Sequence, residues 1–448
     1  MGCCKAAVLA GVLGVVAASG LAQNVGVRPS AGSIAQAQQA EAEPVHRWAV
    51  PNVEFLESGG VSAGGEVFAT VEDYVQSDFF REHGMRCPVN PTEQDLLLAD
   101  AMLRSPSDCS ASFTSIEPEY DPANGAMLRI PVVVHVIQRT NGQGFIPESR
   151  VRSQIDILNE DFLAIAGTNG APGAFAGIEF FLATEDPAGN PTTGITYSTN
   201  NTWYNDGGSY WNSLAWDPNR YMNIYTNSAS GNLGYVPFLP QTNPSGIGLN
   251  SDRVVVLDSS FGRNAPIANY DLGRTATHEV GHYLGLYHTF NGGCGGSNCY
   301  TSGDRVCDTN AESSPFFGCS GGRTTCGSPD PIDNYMDYSY DICMNKFTPE
   351  QVNRMRCTLF NYRQDLYQIA VTGPCSPADV TTDGEANGEP DGAVTLSDFS
   401  FYLTQWSASD ASADITTAGV CDTAGGGGDG VDLSDFACYL SVWSEGCP

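Results

Sequence analysis

Three of the chain's six histidines lie within eleven consecutive residues, at spacings of four and then six. His278 and His282 are four residues apart, so on an α-helix they would share one face and can ligate one metal ion. Glu279 follows the first histidine, as in the H-E-x-x-H pattern, whose glutamate acts as a general base. With His288 as a third imidazole, one position of a zinc ion stays open for water. That arrangement is typical of a catalytic zinc site.

The helix that carries these histidines must end where the third one can return to the ion. Gly285 is predicted to leave the helix through a left-handed turn, which glycine adopts at little steric cost, and so to bring His288 back. An apolar stripe on another face predicts that the helix packs on a core. The stripe consists of Val280, Tyr283, Leu284 and Tyr287.

The extended motif H-E-x-x-H-x-x-G-x-x-H is the signature of the metzincins, zinc proteases with a methionine turn downstream. Met336, in "DNYMDYSYDICMNKFTPEQVNRM", supplies that methionine. The segments "HTFNGGC", "DRVCDTN", "NYMDYS" and "CMNKFTPEQ" resemble those of the pappalysin (cytophagalysin) family. The resemblance covers residues 125 to 365, and the insertion "GGSNCYTSGD" departs from it in a loop near the cleft.

The resemblance implies an α/β (α+β) metzincin-like catalytic domain, with a mixed sheet and an active-site helix. It implies a secreted zinc endopeptidase, a hydrolase that cleaves protein or peptide substrates with a zinc-bound water and Glu279 as general base. Some metzincins place a tyrosine against zinc or the tetrahedral intermediate at the position of Tyr338. A buried structural tyrosine is the alternative for this residue.

Calcium is a second metal that the resemblance implies. Asp304, Asp308 and Thr309, in "DRVCDTN", match a stretch that carries structural calcium in the family; a solvated acidic loop is the alternative. A competing function is a catalytically inactive, calcium-dependent secreted binding or adhesion protein on a protease fold. Loss of Glu279 or of a histidine would indicate it, and all four residues are present.

Composition limits the partners and the compartment. The chain has 51 acidic and 20 basic residues, a net charge of −31 that argues against a nucleic-acid partner. Residues 1–22 are predicted to be a secretory signal peptide, with one lysine, an apolar run and small residues. No later segment approaches the roughly eighteen apolar residues of a membrane span. We therefore expect a secreted, extracellular protein.

Thirteen cysteines follow the signal peptide, and seven of them lie between 294 and 357 in a Gly-, Ser- and Asp-rich stretch. Disulfides are the expected staples there, and the odd number leaves one thiol. Residues 23–124 are predicted to be a propeptide or an N-terminal extension. Cys87, in "REHGMRCPVNPTE", resembles the cysteine switch of some metzincins and would keep a zymogen latent as the fourth zinc ligand, with Arg86 favouring its thiolate. A disulfide between Cys87 and Cys109 is the alternative.

The catalytic domain is predicted at residues 125–370. A buried strand at "MLRIPVVVHVIQ" is followed by an amphipathic helix at "IPESRVRSQIDILNEDFLAI". Further strands are predicted at "GIEFFLATED", "YMNIYTN" and "RVVVLDSS". The segment "NLGYVPFLP" is the predicted edge strand, whose free backbone groups would pair with an extended substrate.

Residues 375–448 form a separate predicted module. "LSDFSFYLTQWS" recurs as "LSDFACYLSVWS" thirty-seven residues later, and the pair resembles the small α-helical, dockerin-like modules of exported bacterial proteins. Such a module would attach to a scaffold or cell-surface partner. A twelve-residue calcium loop precedes the first copy, and a disulfide-tied helical pair without calcium is the alternative. The predicted calcium ligands are Asn387, Glu389, Asp391, Thr395 and Asp398.

Overall fold

A computed structural model describes most of the chain between residues 52 and 445. The described residues are 52–89, 91, 95, 120–123, 127–300, 302–370, 396–409, 413, 416–417, 420–421, 431 and 433–445. The predicted signal peptide lies outside them, as do Asn387, Glu389, Asp391 and Thr395 of the predicted calcium loop. Within the described part of the chain, no helix has the length and apolarity that a membrane crossing requires.

An N-terminal segment, residues 52–89, folds into a small sheet and two short helices. The three strands pair in sequence and antiparallel. They are β1 (Val53–Phe55), β2 (Val61–Ala63) and β3 (Glu66–Phe68), followed by α1 (Val71–Val75) and α2 (Asp78–Glu82). Phe55, Tyr74 and Phe80 are buried in one apolar cluster with Tyr225 and Tyr235 of the following domain. The N-terminal segment is therefore packed onto that domain.

A seven-stranded mixed sheet carries the domain that follows. Its central strand β4 (Met127–Gln138) is rich in β-branched residues and buried over most of its length, as expected of a strand covered on both faces. The other strands are β5 (Ile178–Leu182), β6 (Ile195–Thr199), β7 (Met222–Asn227), β8 (Gly234–Tyr235), β9 (Val254–Leu257) and β10 (Gln368–Ala370). Strands β5, β6 and β7 pair with β4 in parallel, and β10 pairs with it antiparallel. Beyond β7 the sheet continues through β9 to the edge strand β8.

Two helices pack on this sheet and on each other. The predicted amphipathic helix is α3 (Glu148–Phe162), and its apolar stripe is buried: Val151, Ile155, Leu158 and Phe162. Two short helices follow, α4 (Asn201–Tyr204) and α5 (Trp211–Leu214). The histidine-bearing helix is α6 (Arg274–Tyr283), and its apolar residues join those of α3 in the main core. The prediction of a mixed α/β sheet with an active-site helix is thus confirmed.

Loops rather than regular elements connect α6 to α7 (Pro349–Tyr362), which a capping box at Thr348 begins. Disulfides staple this stretch, as predicted. The pairs are Cys294–Cys326, Cys299–Cys307 and Cys319–Cys343, and Cys357 is disulfide-bonded as well. Since β10 pairs with the first residues of β4, the sheet draws on residues from 127 to 370.

Two helices of the repeated sequence form the described part of the C-terminal module. They are α8 (Leu396–Ser407) and α9 (Leu433–Glu445). Between them in sequence, strands β11 (Thr416–Thr417) and β12 (Val420–Cys421) form a two-stranded sheet. Tyr402 and Tyr439, equivalent residues of the repeat, stack with their ring centroids 3.7 Å apart. Asp398 is buried at the start of α8.

Candidate metal centre

Helix α6 is fixed at both ends by groups from other segments. At its start the Asp341 carboxylate accepts hydrogen bonds from the backbone N–H of Leu272 (3.0 Å) and of Arg274 (3.2 Å). A carboxylate at a helix N-terminus is favoured by the helix dipole. Beyond its end Gly285 has φ of 93°, the predicted left-handed conformation. A Cβ there would lie 2.3 Å from Nε2 of Gln241, so only glycine fits this turn.

That turn brings the three predicted histidines together in a buried group. The Nε2 atoms of His278, His282 and His288 are 3.0 to 3.2 Å from one another. In a tetrahedral zinc site with bonds of about 2.0–2.1 Å, nitrogen ligands are about 3.3 Å apart. The three side chains therefore match the donor type and spacing that a zinc ion requires.

The opposite ring nitrogens orient two of these imidazoles. Nδ1–H of His278 donates to the backbone carbonyl of Tyr335 at 2.6 Å, and Nδ1–H of His282 donates to that of Leu286 at 2.8 Å. A carbonyl only accepts, so the proton sits on Nδ1 and the Nε2 lone pair stays free for a metal. Burial lowers the pKa of His278 and His288 well below the usual value, and that of His282 to about 4. All three are therefore neutral, which metal ligation needs.

A buried carboxylate on α3, that of Asp161, connects this helix with α6 and with Tyr335. Asp161 accepts hydrogen bonds from the Tyr335 hydroxyl (2.7 Å) and from Thr277 (2.7 Å), and forms an ion pair with Arg274 (3.0 Å). Burial raises the pKa of Asp161 to about 6, although Arg274 opposes the shift. Because the Tyr335 carbonyl orients His278, Asp161 supports that imidazole from behind.

Met336 lies against the middle of α6, as expected for a methionine turn. A Cβ on Gly281 would lie 2.5 Å from the Met336 sulfur, so the missing side chain makes room for it. The backbone N–H of Met336 donates to the Asn334 side chain, and its carbonyl accepts from Thr289. The turn therefore packs beneath the histidines through backbone bonds on both sides.

Glu279 is fully buried beside the histidines and beneath β8. A Cβ on Gly234 would lie 2.6 Å from Cγ of Glu279, so the two elements are in direct contact. One carboxylate oxygen accepts a hydrogen bond from the Cys87 thiol at 3.4 Å, and the other has no partner among the described residues. Burial raises the pKa of Glu279 well above the usual range. Such a carboxyl group is poised to take up a proton.

Cys87 reaches the same centre from the N-terminal segment. It is a free, buried thiol, and its sulfur and the histidine nitrogens all lie within 4.8 Å of one another. The Arg86 carbonyl accepts from the backbone N–H of Leu233 (3.2 Å) and of Gly234 (3.3 Å). The Tyr338 hydroxyl donates to the Cys87 carbonyl. The predicted residues of the zinc site, the switch and the edge strand thus meet in one place.

The predicted calcium residues of the loop lie elsewhere. The Asp304 carboxylate accepts from Thr309 (2.6 Å) and from the N–H of Val306 (3.1 Å), while Asp308 accepts from the N–H of Glu350 in the first turn of α7. Burial raises the pKa of Asp304 to about 7. These are hydrogen-bonding roles, and they give no support for calcium.

Several residues that shape the centre were missed by the sequence analysis. They are Asp161, Tyr335, Asp341, Gly234 and Gly281. A charged residue beside the apolar stripe of α3 is a weak signal for Asp161. The sequence holds no signal for the other four residues, because their importance comes from contacts with segments distant in sequence.

Comparisons with known proteins agree with this geometry. Residues 209–360 match the Peptidase_M43 family, described as pregnancy-associated plasma protein-A. An extracellular metalloprotease of Colletotrichum graminicola is 36% identical over 249 residues, 54% of this chain and 79% of that protein. Extracellular metalloprotease 1 of Coccidioides posadasii is 38% identical over 239 residues, 51% and 76% of the two chains. The solved structure of mature Tannerella forsythia mirolysin with a cleaved peptide is 38% identical, covers 54% of this chain and 96% of its own, and has a TM-score of 0.45.

A buried histidine centre, together with the two extracellular metalloproteases that this chain resembles over most of their length, defines the class of the protein as a metalloprotease. The chain belongs to the Peptidase_M43 family of metalloproteases. The predictions of a metalloprotease and of an extracellular protein are therefore confirmed. The structure and the comparisons do not favour the alternative of an inactive binding protein.

Replacing Asp161 by alanine should destabilise the protein strongly. The change leaves Arg274 buried without its counterion, which costs about 3–5 kcal/mol in comparable sites. It also frees the Tyr335 hydroxyl, so we expect weaker metal binding. Urea unfolding and metal competition with a chelator measure the two effects.

Glu160→Gln is the matched control, because Glu160 is the adjacent residue and its partner Arg263 is partly exposed. This change should cost about 1 kcal/mol or less. Equal stability of the two variants would show that the Asp161 network does not support the centre.

Proposed function

We propose that this protein is a secreted zinc endopeptidase whose zinc ligands are His278, His282 and His288. The observation that carries the proposal is the convergence of three buried, neutral Nε2 atoms beside a buried glutamate. Three protein ligands leave one position for water. Zinc bound there would lower the pKa of that water and polarise the scissile carbonyl.

Glu279 is the general base of the proposed reaction. Its carboxylate accepts a proton from the attacking water and delivers it to the leaving amine. Its raised pKa suits both steps, since the group must hold the proton until the amine departs. Its contact with Gly234 places it directly below the edge on which a peptide would lie.

Tyr338 stabilises the carbonyl oxygen as negative charge develops on it. Support comes from Cys87, whose backbone carbonyl beside the centre accepts a hydrogen bond from the Tyr338 hydroxyl and so stands in for a peptide carbonyl. The ring packs on His288 and Phe290, with centroids 4.9 and 4.8 Å away. A rigid donor aimed at this position is what an oxyanion site needs.

The substrate is an extended peptide that pairs with the free edge of β8. In the structure, the N–H groups of Leu233 and Gly234 already donate to the backbone carbonyls of Met85 and Arg86. Backbone pairing of this kind binds peptides with little regard to sequence. It therefore fits a protein or peptide substrate.

Residues 23–124 form a propeptide that keeps the enzyme latent through Cys87. The thiol is free rather than joined to Cys109, and it lies where a fourth zinc ligand would lie. Burial and then Glu279 raise the pKa of this thiol, and Arg86 lowers it to a smaller extent. Arg86 alone therefore does not produce the thiolate; the charge of a bound metal would. Activation requires cleavage between about Pro88 and Arg129, which frees the domain at 125–370.

Calcium and the C-terminal module complete the proposal. A calcium site at residues 304–309 rests only on the resemblance of that stretch to the family's calcium-carrying segment. A second site, at residues 387–398, is supported by a sequence of oxygen-bearing side chains that ends at the buried Asp398. Residues 375–448 would act as a dockerin-like attachment module for a scaffold or cell-surface partner. The support is the duplicated sequence and the helical pair that it forms.

Glu279→Ala should retain zinc and lose peptide cleavage. The base is removed while the three ligands stay, so kcat/KM should fall by about 10²- to 10⁴-fold. Zinc content by elemental analysis and cleavage of a quenched fluorescent peptide measure the two properties. Exposed Glu185→Ala is the control. Undiminished cleavage by Glu279→Ala would overturn the proposed function.

Cys87→Ala should yield a precursor that is active or processes itself without added protease. The thiol is the group that excludes water from the fourth zinc position, and the substitution removes it. Val67→Ala, an exposed change in the same N-terminal segment, should stay latent. A silent Cys87→Ala precursor, with a Cys87–Cys109 disulfide mapped in the wild type, would end the switch hypothesis.

Deleting residues 375–448 should leave peptidase activity largely intact, because the described sheet ends with β10 at Ala370. The truncated protein should bind one calcium ion fewer and lose whatever attachment the module provides. Equilibrium dialysis and a cell-binding assay measure these effects. Unchanged calcium binding and attachment would refute the dockerin-like interpretation.

A further inference from the structure

The edge strand β8, here called the rim strand, is only two residues long. It has one neighbour in the sheet, with Gly234 opposite Val256 and Tyr235 opposite Val255. On its other side the N–H of Gly234, together with that of the preceding Leu233, donates to the Arg86 carbonyl. A short strand with one neighbour is held by few backbone bonds, so another contact must fix its position.

The Asp206 carboxylate supplies that contact. It accepts hydrogen bonds from the hydroxyls of Tyr235 (2.8 and 2.9 Å, to the two oxygens) and Tyr210 (2.7 Å), from the Asn227 amide (3.2 Å) and from the Ser230 hydroxyl. The donors come from the rim strand, the start of α5, the end of β7 and the turn before the rim strand. One side chain therefore joins the rim strand to three other segments.

A buried arginine reinforces this cluster. Arg253 donates to the Tyr235 hydroxyl at 3.3 Å, and its guanidinium lies 3.8 Å from the centroid of the Trp211 ring. The Tyr235 hydroxyl that accepts from Arg253 in turn donates to the Asp206 carboxylate, so the positive charge of Arg253 compensates the negative charge of Asp206. Asp206 also has φ of 61°, a conformation uncommon outside glycine. Surrounding bonds must hold such a residue in place.

The position of the rim strand matters for the proposed chemistry in two ways. Its outer N–H, that of Gly234, and the N–H of the preceding Leu233 would pair with the substrate backbone. Its Gly234 rests directly on the side chain of Glu279. A displaced rim strand would therefore weaken peptide binding before it disturbed the histidines, which α6 and its turn hold independently.

We propose that Asp206 is a positioning residue for substrate binding: through Tyr235 it holds the rim strand where an extended peptide pairs with it. The inference rests on the proposed peptidase function. Asp206 acts through another residue, and none of its hydrogen-bond partners is a proposed metal ligand.

Tyr235→Phe and Asp206→Asn test the proposal in the activated full-length protein. For a peptide long enough to span the rim strand, KM should rise about tenfold in each variant, with kcat changed less than twofold, because a lost bond to a partly buried charged group has about this effect on binding. Zinc content should stay at the wild-type value. The double variant should raise KM less than the product of the two single effects, since both changes act on the bond between Tyr235 and Asp206.

Tyr210→Phe is the matched control, because it removes one donor to the same carboxylate without touching the rim strand. Its KM should stay near the wild-type value. An unchanged KM in Tyr235→Phe, or an equal rise in Tyr210→Phe, would overturn the proposal. Tyr235→Phe keeps the test decisive if Asp206→Asn does not fold.

Direct binding separates this inference from the proposed function. In a Glu279→Ala background, the Kd of the same peptide should rise about tenfold when Tyr235→Phe is added. An unchanged Kd would overturn the proposed role of Asp206 but leave the proposed peptidase function standing. If the wild-type protein binds the peptide with zinc but never cleaves it, the peptidase function fails while the Kd comparison still decides the role of Asp206.

Discussion

Three imidazole lone pairs that face one another within 3.2 Å are the constraint on which the rest of the structure depends. Such an arrangement is unfavourable unless a cation binds between them, and burial forbids the alternative of protonating the rings. Every neighbouring element serves this convergence. The carbonyls of Tyr335 and Leu286 fix the tautomers, Gly285 allows the turn, and Gly281 admits Met336 beneath the helix.

Around the histidines, the structure keeps ionisable groups buried but in contact with one another. Cys87 and Glu279 share a hydrogen bond, and the Glu279 carboxylate raises the energy of the charged thiolate. A dication would reverse this preference by stabilising the thiolate. The proposed latency and the proposed catalysis therefore depend on the same carboxylate. In the first state Glu279 faces the thiol, and in the second it would face water.

In the proposed mechanism, the edge of the sheet likewise serves two partners with one set of backbone groups. The N–H groups of Leu233 and Gly234 bond the N-terminal segment in the structure and would bond substrate after its removal. Competition for one edge makes a propeptide effective without any separate inhibitory site. It also explains why the rim strand needs an anchor such as Asp206. The segment that pairs with the rim strand changes from propeptide to substrate, while the strand itself must stay in position.

The sequence by itself determined the metal-binding motif, the helix that carries it, the strand at 127–138, an amphipathic helix within 146–165 and the extracellular class. These depend on local spacing: two histidines four apart share a helix face, and a β-branched run forms a buried strand. Only the tertiary structure decided that Asp161 supports His278 through Tyr335, that Gly234 rests on Glu279, and that Asp206 anchors Tyr235. These contacts join residues brought together by packing, which periodicity in one chain segment does not encode.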